Sequence, residues 1–174
     1  MTQSDTATIT TPPGSQVQSV TPVLVFEANA EEAINLYVSL FPNSRLVNLV
    51  RSEGGMIPAG QVMQATFELD GLRYNAFDGG PTFAFSEGFS LMVVCTTQVE
   101  IDRLWDRLTA DGGEPGRCGW LKDRFGLSWQ VIPADLGEML GNPAGGNTRK
   151  VSEAMMTMNK LDIAALRAAY NSAA

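Results

Sequence analysis

SLMVVCTTQVEIDRLWDRL, residues 90–108, reads as a buried strand feeding an amphipathic helix. Ser90–Cys95 is a short apolar run, the signature of a strand covered on both faces. Thr97 and Glu100 have the spacing of a capping box, and Ile101, Leu104, Trp105 and Leu108 recur at i, i+3, i+4 and i+7. Gly112-Gly113 ends the helix. The same grammar occurs about 70 positions earlier, which marks an internal duplication. There Val23–Phe26 is the apolar run, Asn29 with Glu32 has the capping-box spacing, and Ala33, Ile34, Tyr37, Val38 and Phe41 carry the helical stripe up to Pro42.

Each strand–helix unit is followed by strand signals. Leu46–Val50 reads as a strand, residues 52–60 as a Gly/Pro loop, and Val62–Leu69 with Leu72–Phe77 as a hairpin closed by Asp70-Gly71. In the second half, RCGWLKDRFGLSWQVIP (residues 117–133) holds strands near Arg117–Lys122 and Leu127–Ile132 around a turn at Asp123–Gly126. The expected fold is therefore α+β: two βαβββ modules, about 20–80 and 86–133 within a unit of 20–133, forming a cupped, barrel-like mixed sheet. Such a surface encloses a concave ligand site. Residues 1–19 read as a disordered leader. Residues 134–174 read as a helical tail, with stripes at Val151, Ala154, Met155 and Met158 and at Ile163, Leu166 and Tyr170, the last capped by Asp162. The tail is expected to cover a sheet edge or a partner subunit, and Met139, Met155, Met156 and Met158 to pack.

Composition narrows the function classes. The 174 residues are 44% hydrophobic and 18% charged with a formal net charge of −7, which suits a soluble globular domain and argues against nucleic-acid or anionic-membrane partners. No apolar run reaches the ~20 residues that span a bilayer, no signal peptide is visible, and the chain reads as cytoplasmic. Cys95 and Cys118 lack metal-site spacing, and Cys95 reads as a buried small hydrophobe. The chain has no histidine, which removes the commonest general base and transition-metal ligand and with them any Ser-His or Cys-His pair.

NAEEAINLYVSLFP (29–42), DGGPTFAF (78–85), TTQVEIDRLW (96–105), CGWLKDRFGLSWQVIP (118–133) and the run KVSEAMMTMNKLDIAALRAAY (150–170) together resemble the vicinal oxygen chelate superfamily, which includes glyoxalase I, extradiol dioxygenases, fosfomycin-resistance and bleomycin-binding proteins. More closely, they resemble its PhnB-like branch, often labelled demethylubiquinone methyltransferase-like. The resemblance runs from about Thr21 to Tyr170. It implies a paired-module fold and, in metal-using members, His, Glu or Gln ligands converging from the first and last strands of each module. Here those positions fall near Pro22, at Ala76–Asp78, at Phe89–Ser90 and at Gln130. Only Asp78 and Gln130 are plausible ligands, fewer than the three or four a divalent ion needs. No metal is therefore assigned. The methyltransferase label implies S-adenosylmethionine, but no strand-to-helix turn has the Gly spacing of a nucleotide site, so that cofactor is rejected.

The candidate ligand-binding residues are Asn75, Asp78, Ser90, Trp120, Lys122, Trp129 and Gln130. Trp120 and Trp129 either line a pocket mouth with flat faces or pack in the core. Gln130, a polar side chain on an apolar strand, either satisfies backbone or faces a ligand. Lys122 and Asp123 read as a solvated turn or as a charged lip. Asp78 reads as a turn residue or as an acceptor at the pocket edge. Asn75, with Glu68 and Gln64, lies on the central hairpin, where alternation aims only some side chains inward. Catalytic residues are not assigned, and three readings stand side by side. One is a metal-free protein that binds a small, partly aromatic molecule. Another is a divalent-metal enzyme of lyase, transferase or dioxygenase type that recruits its metal through Asp78, Gln130, Glu residues and water. The third is a dimeric domain with no retained ligand. The resemblance implies a homodimer.

Overall fold

The computed structural model describes Gln18 and residues 20–172. The expected leader therefore lies outside the described residues except at its end. There the Gln18 amide donates to the Arg73 carbonyl and accepts from the Arg73 N–H.

Two four-stranded mixed sheets form, each with the duplicated connectivity. The first holds β1 (Val23–Phe26), β2 (Arg45–Arg51), β3 (Val62–Leu69) and β4 (Leu72–Asp78) in the order β1-β4-β3-β2, with α1 (Ala30–Leu40) between β1 and β2. The second holds β5 (Ser90–Cys95), β6 (Glu114–Pro115), β7 (Trp120–Lys122) and β8 (Ser128–Pro133) in the order β5-β8-β7-β6. Its helix is α2 (Gln98–Thr109), which ends in a 3₁₀ turn. In each sheet the first strand runs parallel to the last. The two sheets remain separate rather than joining into one barrel-like sheet, so among the described residues β1 and β5 each pair on one side only.

Local chemistry explains most boundaries. Asp70 and Gly71 both take positive φ, as a two-residue hairpin turn requires. The Thr97–Glu100 capping box forms in full. Its expected counterpart at Asn29 does not: the Asn29 side chain makes no cap bond. Asp78 Oδ1, at the end of β4, accepts from Ala30 N at 2.9 Å in its place, and Glu32 turns away to pair with Arg124.

The main core runs through both modules. Leu24, Phe26, Ala65, Phe67 and Ala76 on the first sheet meet Ile34 and Tyr37 of α1, and the cluster continues to Ile101, Leu108, Trp129 and Val131. Helix α1 thus packs between the modules, and Phe41 just beyond it stacks on Trp129 with centroids 5.8 Å apart. The tail forms α3 (Leu136–Gly141), α4 (Thr148–Thr157) and α5 (Ile163–Tyr170) around a satellite core that includes Met139, Met155 and Met158, while Met156 stays exposed. It settles on the second module of its own chain. Cys118 N donates to the Met158 carbonyl, Gly119 N to that of Asn159, and Ile163 N to Gln98 Oε1.

Candidate ligand-binding site

Strand pleat divides the seven candidate residues between two faces. On the second sheet Ser90, Met92 and Val94 lie opposite Ser128, Gln130 and Ile132, while Trp120 lies opposite Gln130 and Lys122 opposite Ser128. These positions share the face turned away from the core. Leu121, Trp129 and Val131 point the other way and are buried, with Leu91 partly buried beside them. Ser90, Trp120, Lys122 and Gln130 are therefore brought together. Gln130 Nε2 donates to Ser90 Oγ at 2.8 Å, which satisfies part of an amide that an apolar strand otherwise leaves unpaired.

A cleft of about 460 Å³ opens on this face, lined by Glu87, Glu114, Gly116, Trp120, Lys122 and Ser128 among others. Lys122 donates to Glu87 Oε1, which reaches over from the loop before β5. Hydrogen bonding to Glu87, then its charge, raises the ammonium above the usual lysine range, and Glu114 adds to the effect. The same bond holds the Glu87 carboxyl below its usual range. Gly116 lets the chain approach closely: a Cβ there would sit 2.8 Å from the Trp120 carbonyl, the group that accepts the Gly116 N–H. Trp120 keeps 38% of its surface exposed.

Trp129, Asp78 and Asn75 lie elsewhere. Trp129 is 1% exposed, and its indole N–H donates to Asp123 Oδ2 at 2.8 Å. It packs in the core because its strand neighbour Gln130 faces out. Asp78 is 2% exposed, with Oδ1 on Ala30 N and Oδ2 on Val62 N, so it fastens α1 and β3 rather than edging a pocket. Asn75 sits on the outward face of the first sheet, opposite Val23, and accepts from Thr66 Oγ1. An apolar cleft of about 300 Å³ lies near it under the 83–89 loop, lined by Val23, Val25, Phe83 and Phe89.

Asp123 corrects the reading of a solvated turn. It is 2% exposed and accepts from Tyr37 Oη, Trp129 Nε1 and the backbone N–H of Phe125 and Leu127. Burial nevertheless pushes its carboxyl above the usual range, against the pull of those four bonds. Sequence reasoning also missed Glu87, Glu114 and Gly116. A two-residue strand such as β6 has no periodicity to read, although Gly112-Gly113 followed by Glu114-Pro115 marks a chain turning back to an edge.

The outward donors do not make a metal site. Among the described residues no group of three or more His, Cys, Asp or Glu side chains is placed to hold an ion. Both oxygens of Asp78 are taken by backbone N–H groups, and Gln130 is turned to Ser90. S-adenosylmethionine fits no better. Each strand-to-helix passage runs through Asn29 or Thr97 without a Gly-rich turn, and Gly79-Gly80 leads into the phenylalanine loop.

The family model described as 3-demethylubiquinone-9 3-methyltransferase matches residues 18–132. The chain belongs to this PhnB-like family. A PhnB protein from Bacillus cereus, described with the same methyltransferase name, is 36% identical, with a TM-score of 0.60 over 67% of this chain and 100% of its own. Protein PA1353 from Pseudomonas aeruginosa is 23% identical, with a TM-score of 0.54 over 66% of this chain and 96% of its own. The fosfomycin-resistance protein FosX of Listeria monocytogenes, solved with Mn(II) and a dihydroxypropylphosphonic acid, is 14% identical with a TM-score of 0.47 over 67% and 92%. No curated protein matches. The PhnB-like chain thus shares the fold of the Bacillus cereus PhnB protein, and its family description carries a methyl-transfer name whose cofactor its turns do not fit.

Proposed function

We propose that this PhnB-like protein binds a small, partly aromatic molecule on the open face of its second sheet, without a histidine-ligated metal. The observation that carries the reading is the 460 Å³ cleft with Trp120 in its wall. Its volume lies in the range of small-molecule sites, about 300–1,000 Å³. A half-exposed indole beside polar side chains offers a flat apolar surface with orienting groups at its rim. Any turnover would rest on groups other than a histidine pair.

The proposal extends to a homodimer. Among the described residues β1 and β5 each have a hydrogen-bonding edge without a strand partner, and the outward faces beside them expose Val23, Met92 and Val94 by half or more. Unpaired edges with apolar flanks are strand-pairing surfaces that folded proteins cover, and light scattering at micromolar concentration tests the assembly. A cytoplasmic location accords with the two free cysteines and with the finding that no described helix is long and apolar enough to cross a membrane.

Elemental analysis of untagged protein, with thermal melts in Mn²⁺ and Mg²⁺, separates this reading from the metalloenzyme. A stoichiometric ion, or a melting shift with either cation, replaces it with the divalent-metal enzyme. Quenching of tryptophan emission by a bicyclic aromatic probe in metal-free buffer, lost in Trp120→Ala, supports it.

A further inference from the structure

We infer that the cleft at Trp120 selects an organic cation, an aromatic amine or quaternary ammonium, over neutral and anionic molecules of the same shape. The inference rests on the binding reading above and adds the charge of the ligand. Its basis is the balance of charge around the indole: the lining carries two carboxylates, Glu87 and Glu114, against one ammonium, Lys122. That ammonium is already engaged by Glu87. Glu114 lies across the β6–β7 pairing from Lys122 and forms no ion pair among the described residues, so one negative charge at the rim is left without a contact partner.

The indole acts in the same direction. The face of a tryptophan carries negative quadrupole potential, and a cation within about 6 Å of the ring is attracted to it more than a neutral ring is. Carboxylates at the edge of a recess concentrate that field and draw cations in. The chain's formal charge of −7 has the same sign. Lys122 is the only opposing group in the lining, and its bond to the well-exposed Glu87 can open to let a ligand ammonium share the two carboxylates. Nothing in the lining offers a second cation to hold a ligand carboxylate or phosphate.

Three probes of one shape test the inference on the full-length, untagged protein: N-methylquinolinium, neutral methylnaphthalene and anionic naphthoate, titrated by tryptophan quenching and calorimetry. The expected order places the cation about tenfold tighter than the neutral probe, with the gap narrowing as salt rises from low to physiological concentration. Glu114→Gln should narrow the gap to the part that the indole face supplies. The double substitution of Glu87→Gln with Glu114→Gln leaves Lys122 unopposed and should turn the preference toward naphthoate. Equal affinities for the three probes, or tighter naphthoate in the unsubstituted protein, overturn the charge inference and leave the aromatic site standing. Failure of all three to bind, with Trp120→Ala indistinguishable from the parent, overturns the site and the inference together.

Discussion

The Tyr37 hydroxyl on α1 donates a 2.6 Å hydrogen bond to Asp123 Oδ2, a residue 86 positions away in the turn between β7 and β8. The bond joins the helix of one module to the sheet of the other. Trp129 donates to the same oxygen, and two backbone N–H groups complete the shell. A carboxylate in this position is costly to bury and more costly to leave unpaired. Tyr37→Phe should therefore cost about 1–3 kcal/mol, the range for a buried hydrogen bond to a charged or strongly polar acceptor. Asp123→Asn should cost more, because its amide presents donors to a site built of donors. Urea unfolding followed by far-UV circular dichroism measures both, and an Asp123→Asn protein as stable as the parent would show that the turn does not depend on the carboxylate.

The same pair gives the alkaline limb of the stability curve a sign. Burial, reinforced by the Asp123 charge and hydrogen bond, raises the Tyr37 phenol well above its ordinary value of 10.0. The unfolded chain releases this proton first, so between the ordinary and the raised value the folded state holds more protons. The contribution is fully present below about pH 10 and is lost as pH rises toward the folded value. Tyr37→Phe should flatten the fall in urea midpoint on raising the pH through this window. A shallower fall should persist, because burial also raises the Tyr74 phenol. An unchanged slope would place the titrating group elsewhere.

Asp78 offers a test of structural against metal-binding roles. Its two oxygens hold the first N–H of α1 and the N–H of Val62, both buried. Asp78→Ala leaves two donors unsatisfied and should cost about 2–6 kcal/mol, at about 1–3 kcal/mol per buried group. If the carboxylate only fastens backbone, added Mn²⁺ should move the melting temperature of neither the parent nor the variant. A manganese-dependent rise in the parent that Asp78→Ala abolishes would restore it as a ligand.

Much of the fold was legible because it rests on local signals. The apolar run of β5, the Thr97–Glu100 box, the stripe of α2 and the Asp70-Gly71 hairpin each depend on neighbours a few positions away, and each element formed, although β5 is covered on one face only and leaves Met92 and Val94 more than half exposed on the other. Asn29 with Glu32 has the same spacing as Thr97 with Glu100, yet the cap is supplied by Asp78, 48 positions from Ala30. Only tertiary structure makes that carboxylate available, and with the helix end satisfied Glu32 is free to pair with Arg124. The site divides in the same way. Alternation along β7 and β8 accounts for Trp120, Lys122 and Gln130 sharing a face once the register is known. Glu87 joins them across 35 positions through a loop, and Asp123 leaves solvent because Tyr37, from the other module, reaches it. Neither carries a periodic signal.

The two tryptophans of the 117–133 stretch give the sharpest test of this division, because sequence treats them alike and the pleat does not. Trp129 is 1% exposed, edge-on to Tyr37 at 5.2 Å between centroids, stacked with Phe41 and bonded to Asp123. Trp129→Ala removes that packing and an indole donor, and should cost about 3–5 kcal/mol. Trp120 lines the cleft with 38% of its surface exposed and has no side-chain hydrogen bond among the described residues. Trp120→Ala should change stability much less, by about 1 kcal/mol, as half-exposed substitutions do. Its expected signature is loss of probe binding in a protein that still melts near the parent temperature. Paired denaturation and quenching titrations distinguish the two roles. A Trp120→Ala protein as destabilised as Trp129→Ala would mean that the indole belongs to the packed interior and that the cleft beside it is not a binding surface.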